Sequence, residues 1–183
     1  MIPVTSIIYN RDDDVTGELH PSVQFTIKGS RKTFYLDVDS TEDVLSIPEF
    51  DYSDLHTLII EDRDYSATID TKKLFTLPLK TLGISGKCNF GSKTTADYVI
   101  SNLTSLNDIR LYYFDESVHL DASGHNQLDT VYFYYCKDPL IYVYPNPRGI
   151  KQVHLEDCSF TTSENRSKFF ENCEGKVDTI IVE

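Results

Sequence analysis

One phrase dominates what this chain can fold into. Leu128, Val131, Phe133 and Cys136 spell apolar-x-x-apolar-x-apolar-x-x-Cys, and 22 residues later Ile150, Val153, Leu155 and Cys158 spell it again. The shorter apolar-x-x-apolar-x-apolar form recurs at Leu55-Leu58-Ile60, Leu79-Leu82-Ile84, Leu106-Ile109-Leu111 and Val177-Ile180-Val182. The six starts are separated by 24, 27, 22, 22 and 27 residues. A recurring period of roughly 20 to 29 residues predicts stacked units. Each phrase ends in alternation, which predicts a strand with one buried face. One such unit cannot bury its own apolar side. Stacked units cover one another and pair their strands in parallel, and a small buried residue such as Cys136 or Cys158 suits the corner after the strand.

The segments between phrases vary. Residues 93–105 and 161–175 have helical spacing, the second with Thr162 or Ser163 as N-cap and Gly175 at its stop. Residues 117–122 and 140–149 read as short strands closed by turns. Residues 1–50 break the period, and 22–38 read as two strands around a Lys-Gly-Ser-Arg turn. The expected organisation is an N-terminal β cap over 1–50, with a degenerate repeat near Phe34–Val38, and one repeat unit over 51–183.

In these phrases the chain resembles the leucine-rich repeat family. The likeness covers roughly residues 55–183 and is strongest at Leu128–Cys136 and Ile150–Cys158. The family's Asn or Cys at the ninth position is replaced by Phe114, Lys87 and Arg63 in other copies, so the array is irregular. The resemblance implies an α/β solenoid: a parallel concave β-sheet, a convex side of mixed strands and helices, and recognition rather than chemistry.

The formal net charge of −12 opposes general nucleic-acid binding, which needs Lys and Arg against phosphates, and opposes docking on anionic lipid. It permits a basic partner, although acidic charge that only solvates the surface is the plainer reading. The apolar runs are too short to span a bilayer, and the start, MIPVTSIIYNRDDD, does not read as a signal peptide. The expected compartment is the cytoplasm, or the secreted or cell-surface setting if a leader was trimmed. Cys88, Cys136, Cys158 and Cys173 form no Cys-x-x-Cys pair, so structural zinc is not expected. An oxidising compartment would allow a Cys136–Cys158 disulfide.

If the fourth and sixth phrase positions face the core, the third, fifth and seventh face out. The fifth reads Ile59, Gly83, Arg110, Tyr132, His154, Ile181. The seventh reads Glu61, Ser85, Tyr112, Tyr134, Glu156, Glu183, and the eighth adds Asp62, Tyr113, Tyr135 and Asp157. The candidate binding residues are therefore Arg110, Tyr112, Tyr113, Tyr132, Tyr134, Tyr135, His154 and Glu156. Tyrosine buries much area with few rotors and is common at binding hot spots, and acidic flanks suit a protein or peptide with basic residues. Tyrosine is also simply a good strand residue, and a one-residue slip would turn the cluster inward.

No catalytic motif stands out: there is no G-x-S-x-G, H-E-x-x-H or P-loop, and His154 beside Glu156 is the one weak acid–base pairing. A non-catalytic role without a cofactor is expected. Asp12, Asp14, Thr16 and Gly17, and likewise Asp37, Asp39, Thr41 and Asp43, only partly follow a calcium loop. Asn102-Leu-Thr and Asn165-Arg-Ser matter only in a eukaryotic secretory setting. Two other classes fit less well. One is a carbohydrate-binding or carbohydrate-active parallel β-helix, with three short strands per turn and paired carboxylates on one face. The other is a self-assembling protein that uses the uncapped C-terminal strand.

Overall fold

All six apolar phrases end in strands. The computed structural model describes residues 1–13, 19–37, 43–61, 67–91, 94–143 and 148–183. In chain order the elements are β1 (Ile2–Asp13), β2 (Leu19–Ile27), β3 (Thr33–Asp37), β4 (Phe50–Asp51), β5 (Thr57–Ile60), α1 (Thr71–Leu74), β6 (Thr81–Ser85), α2 (Ala96–Asn102), β7 (Asp108–Tyr112), β8 (His119–Asp121), β9 (Thr130–Tyr134), β10 (Leu140–Tyr142), β11 (Ile150–Glu156), α3 (Ser163–Cys173) and β12 (Val177–Val182). The protein is a sheet-rich α/β molecule built on one large, open, mixed sheet.

That sheet runs β12-β11-β9-β7-β6-β5-β1-β2-β3, with β4 beside the start of β1. The strands β5, β6, β7, β9, β11 and β12 pair in parallel, and β1 joins β5 in parallel too. Among the described residues, only the β1–β2–β3 meander is antiparallel. It supplies the two strands expected over 22–38. The register sets equal phrase positions side by side: Leu58, Leu82, Ile109, Val131, Val153 and Ile180 are successive neighbours.

One backbone device repeats at the strand starts. The carbonyl of His56 accepts from the N–H groups of Lys80 and Thr81, that of Lys80 from Asn107 and Asp108, that of Asn107 from Asp129 and Thr130, and that of Asp129 from Lys151 and Gln152. The first five phrases are thus locked in turn at their second positions, a backbone contribution to register.

The core lies on the side of the fourth and sixth positions. Leu58, Ile60, Leu82, Ile84, Ile109, Leu111, Val131, Phe133 and Val153 are fully buried, and Leu155 nearly so. Helices cover part of it. In α3, Thr162 is the N-cap and its Oγ1 accepts from the Asn165 N–H, while Phe169 and Cys173 point inward. Gly175 follows at φ 68°, a left-handed stop. In α2, Thr95 caps and Val99 and Ile100 are buried. β8 and β10 form a separate parallel pair within 117–122 and 140–149. At the second corner Cys136 is buried, and the thiols of Cys136 and Cys158 donate to the carbonyls of Leu111 and Phe133, each at 3.2 Å. All four cysteines are free thiols.

Asp14, Thr16, Gly17, Val38, Asp39, Thr41, Asp62, Arg63 and residues 144–147 lie outside the described residues. Among the described residues, no helix is long and apolar enough to cross a membrane.

Candidate functional site

Strands β7, β9 and β11 are adjacent and in register, so their outward positions form a grid on the face opposite the core. The fifth position gives Arg110, Tyr132 and His154 in one row. The seventh gives Tyr112, Tyr134 and Glu156. The eighth, just past each strand, gives Tyr113, Tyr135 and Asp157, joined by N–H bonds from Tyr113 to the Tyr134 carbonyl and from Tyr135 to the Glu156 carbonyl. All eight candidate residues therefore fall in this grid, and Asp157 completes it.

The first row is a stack. The Arg110 guanidinium sits 5.0 Å from the centre of the Tyr132 ring, and His154 stacks on that ring at 4.2 Å and 19°. Arg110 is not a free cation. Its Nε and one Nη reach the two carboxylate oxygens of Asp108 at 3.0 and 3.1 Å. That fork raises the Arg110 pKa, the Asp108 hydrogen bond being the main cause. Asp108 escapes a reading confined to the fifth, seventh and eighth positions. Its signal was its place two residues before Arg110, hence on the same strand face. His154 is further engaged by Gln152, Nε2 to Oε1 at 3.3 Å, so the weak pairing with Glu156 is not what orients its ring.

The other rows form a tyrosine cluster. Tyr134 meets Tyr112, Tyr113 and Tyr135 edge-on at 5.9, 5.7 and 4.7 Å, while Tyr113 and Tyr135 stack at 5.4 Å and 17°. Exposure differs sharply within it. Tyr135 is 46% exposed, whereas Tyr112 is 7% exposed. Tyr113, Tyr132 and Tyr134 are partly buried. The five rings thus do not present one flat surface: Tyr112 is the floor and Tyr135 the rim. Gly83 makes room for that floor, because a Cβ there would stand 3.1 Å from the Tyr112 ring and 2.9 Å from Ile59.

Carboxylates set the field around the rings. Burial and then Glu61 push the Tyr112 hydroxyl up to about 12. Tyr134 is raised by burial and then by Glu156, Glu61 and Asp157, and Tyr135 by its hydrogen bond to Asp157. Glu61 reaches this cluster from β5's end, two strands away from β7.

The backbone is also unusual here. Tyr113, Tyr135 and Asp157 have φ of 53°, 50° and 48°. Asp tolerates the left-handed region, but each Tyr there costs on the order of 1–2 kcal/mol. The same twist recurs just past three neighbouring strands, and it leaves the partly buried Tyr113 stacked on the exposed Tyr135.

Burial pushes Cys88 and Cys173 up to about 11, which keeps them protonated at neutral pH, whereas the hydrogen bond with Cys136 lowers Cys158. Comparisons with family models, with curated proteins and with solved structures found no match for this chain.

Proposed function

We propose that this chain is an irregular leucine-rich-repeat-type solenoid and that its tyrosine face binds a protein or peptide bearing basic residues, without catalysis. The observation that carries the reading is the raised ring of Tyr134 and Tyr135 above a buried Tyr112, with Glu61, Glu156 and Asp157 around it. Aromatic rings supply area at little entropic cost, and their faces attract ammonium and guanidinium groups. The carboxylates add to that attraction and repel acidic partners. Arg110, already satisfied by Asp108, serves to hold Tyr132 rather than to meet an anion. The recurrence of the phrase every 22 to 27 residues and the repeated carbonyl lock support the solenoid reading.

A displayed random-peptide library selected on the protein tests this. Enriched peptides should carry Lys or Arg beside an apolar anchor. Tyr134→Ala should weaken the best synthetic peptide at least about tenfold, the scale of an interface hot spot. Tyr98→Ala removes an exposed ring on α2, away from the grid, and should leave binding unchanged. Peptides that bind Tyr134→Ala as tightly as the wild type would place the site elsewhere.

A further inference from the structure

The open sheet has two edges, and they are unlike each other. At one edge stands β3, where every residue from Arg31 to Leu36 is exposed. At the other stands β12, where Val182 is 63% exposed and Asp178 and Thr179 are also exposed. Among the described residues neither strand has a second neighbour. Natural sheets blunt such edges with proline, bulges or inward charges. Neither Thr33–Asp37 nor Val177–Val182 contains proline, and neither pairing shows a register shift; the charge on the core side of β12 is Asp178, at its start.

The edges match in direction. β3 is antiparallel to β2, β2 to β1, and β1 is parallel to β5. Hence β3 runs the same way as β5, β6, β7, β9, β11 and β12. They match in pattern too. Phe34 lies opposite Phe25 and Leu36 opposite Val23, so both point to the core side, where they are 36% and 37% exposed. Ile180 lies opposite Val153 and Val182 opposite Leu155, also on the core side. Each edge therefore leaves two apolar side chains, two residues apart, on an open end of the core.

They are opposite in charge. Arg31 and Lys32 immediately precede β3 and are exposed, in a chain whose net charge is −12. Glu171, Glu174 and Asp178 are exposed around the start of β12. Lys176 is turned back onto the Asn172 carbonyl at 3.2 Å, and Lys151 of β11 is paired with Asp129 at 2.9 Å.

We propose that the protein assembles head to tail with further copies of itself, the β3 edge of one copy adding in parallel to the β12 edge of the next. The register that sets Phe34 beside Ile180 and Leu36 beside Val182 also sets Lys32 beside Asp178. It continues the parallel order of the sheet and closes both open ends of the core at once. A two-fold contact of β12 with β12 would instead crowd carboxylates together. Because the two edges differ, the contact is heterologous and leaves a free edge at each end of any oligomer. The tyrosine grid lies on the other face and is not consumed.

Sedimentation of the full chain over a concentration series at low salt tests this. The mean mass should rise with concentration and fall back as salt screens the edges. Arg31→Glu/Lys32→Glu and, separately, Glu174→Lys/Asp178→Lys should each weaken association at least about tenfold. These are exposed sites, so thermal unfolding should stay near that of the wild type, which separates lost assembly from lost folding. An equimolar mixture of the two variants should recover association, since each junction then joins opposite charges again. A wild type that stays monomeric throughout overturns the proposal. So does either variant associating as the wild type does, which would mean a contact of one edge with its own kind or a partner other than this chain.

Discussion

Tyr112 shows how little a residue's name reveals of its role. It shares a face with four other tyrosines, yet it is closed over by Tyr134 and settled above Gly83. Its raised pKa, about 12, means that the folded chain holds the neutral phenol more tightly than the unfolded chain, where tyrosine titrates near about 10. The linkage follows in sign. Stability from this group is complete below the unfolded value and is lost as pH rises through the folded one. An alkaline absorbance titration should show a late-ionising tyrosine that Tyr112→Phe removes. Gly83→Val should drive that ring outward and cost about 1–3 kcal/mol by overpacking, read from denaturant midpoints. At Tyr113 the backbone itself is the test. Both Tyr113→Ala and Tyr113→Gly remove the ring, but only glycine relaxes the left-handed turn at φ 53°. The glycine variant should be the more stable of the two by up to about 1 kcal/mol, after its entropic cost is allowed for. The opposite order would mean that this turn is not left-handed.

Among the elements, the parallel strands were legible in the chain because the apolar phrase encodes alternation, and their register because phrase positions recur. The grid followed from both. The helix over 161–175 was legible through its Thr162 cap and Gly175 stop. Other features left no local mark. The four-residue α1 is too short to show a period. β1 takes a central place between β5 and β2, although its sequence breaks the repeat. Tyr112 is buried by a glycine from another strand, and a left-handed tyrosine looks like any other. α3 is tied in at two points that can be tested separately. Phe169 is fully buried against Phe133, ring centres 6.0 Å apart, and Phe169→Ala should cost about 3–5 kcal/mol in chemical denaturation. Asp138 accepts from the Thr161 N–H at 2.7 Å and hydroxyl at 2.6 Å, and these bonds hold its carboxyl below the usual carboxylate range. A depressed carboxylate stabilises the fold above its unfolded pKa, near about 4, and ceases to do so as pH falls through the folded value. Asp138→Asn should therefore be less stable than the wild type at neutral pH and converge with it in strong acid.

For the whole molecule, one sheet presents three kinds of boundary. Its core side holds the fold, its opposite face carries the tyrosine grid, and its two edges carry complementary charge and apolar pattern. Binding by the tyrosine face is tested most directly by ring-selective tyrosine NMR during titration with the best basic peptide from the library. Tyr134 and Tyr135 ring signals should shift first and furthest, while Tyr98 and Tyr35, exposed on α2 and β3, should stay still. Shifts at Tyr98 or Tyr35 with Tyr134 and Tyr135 unmoved would contradict it.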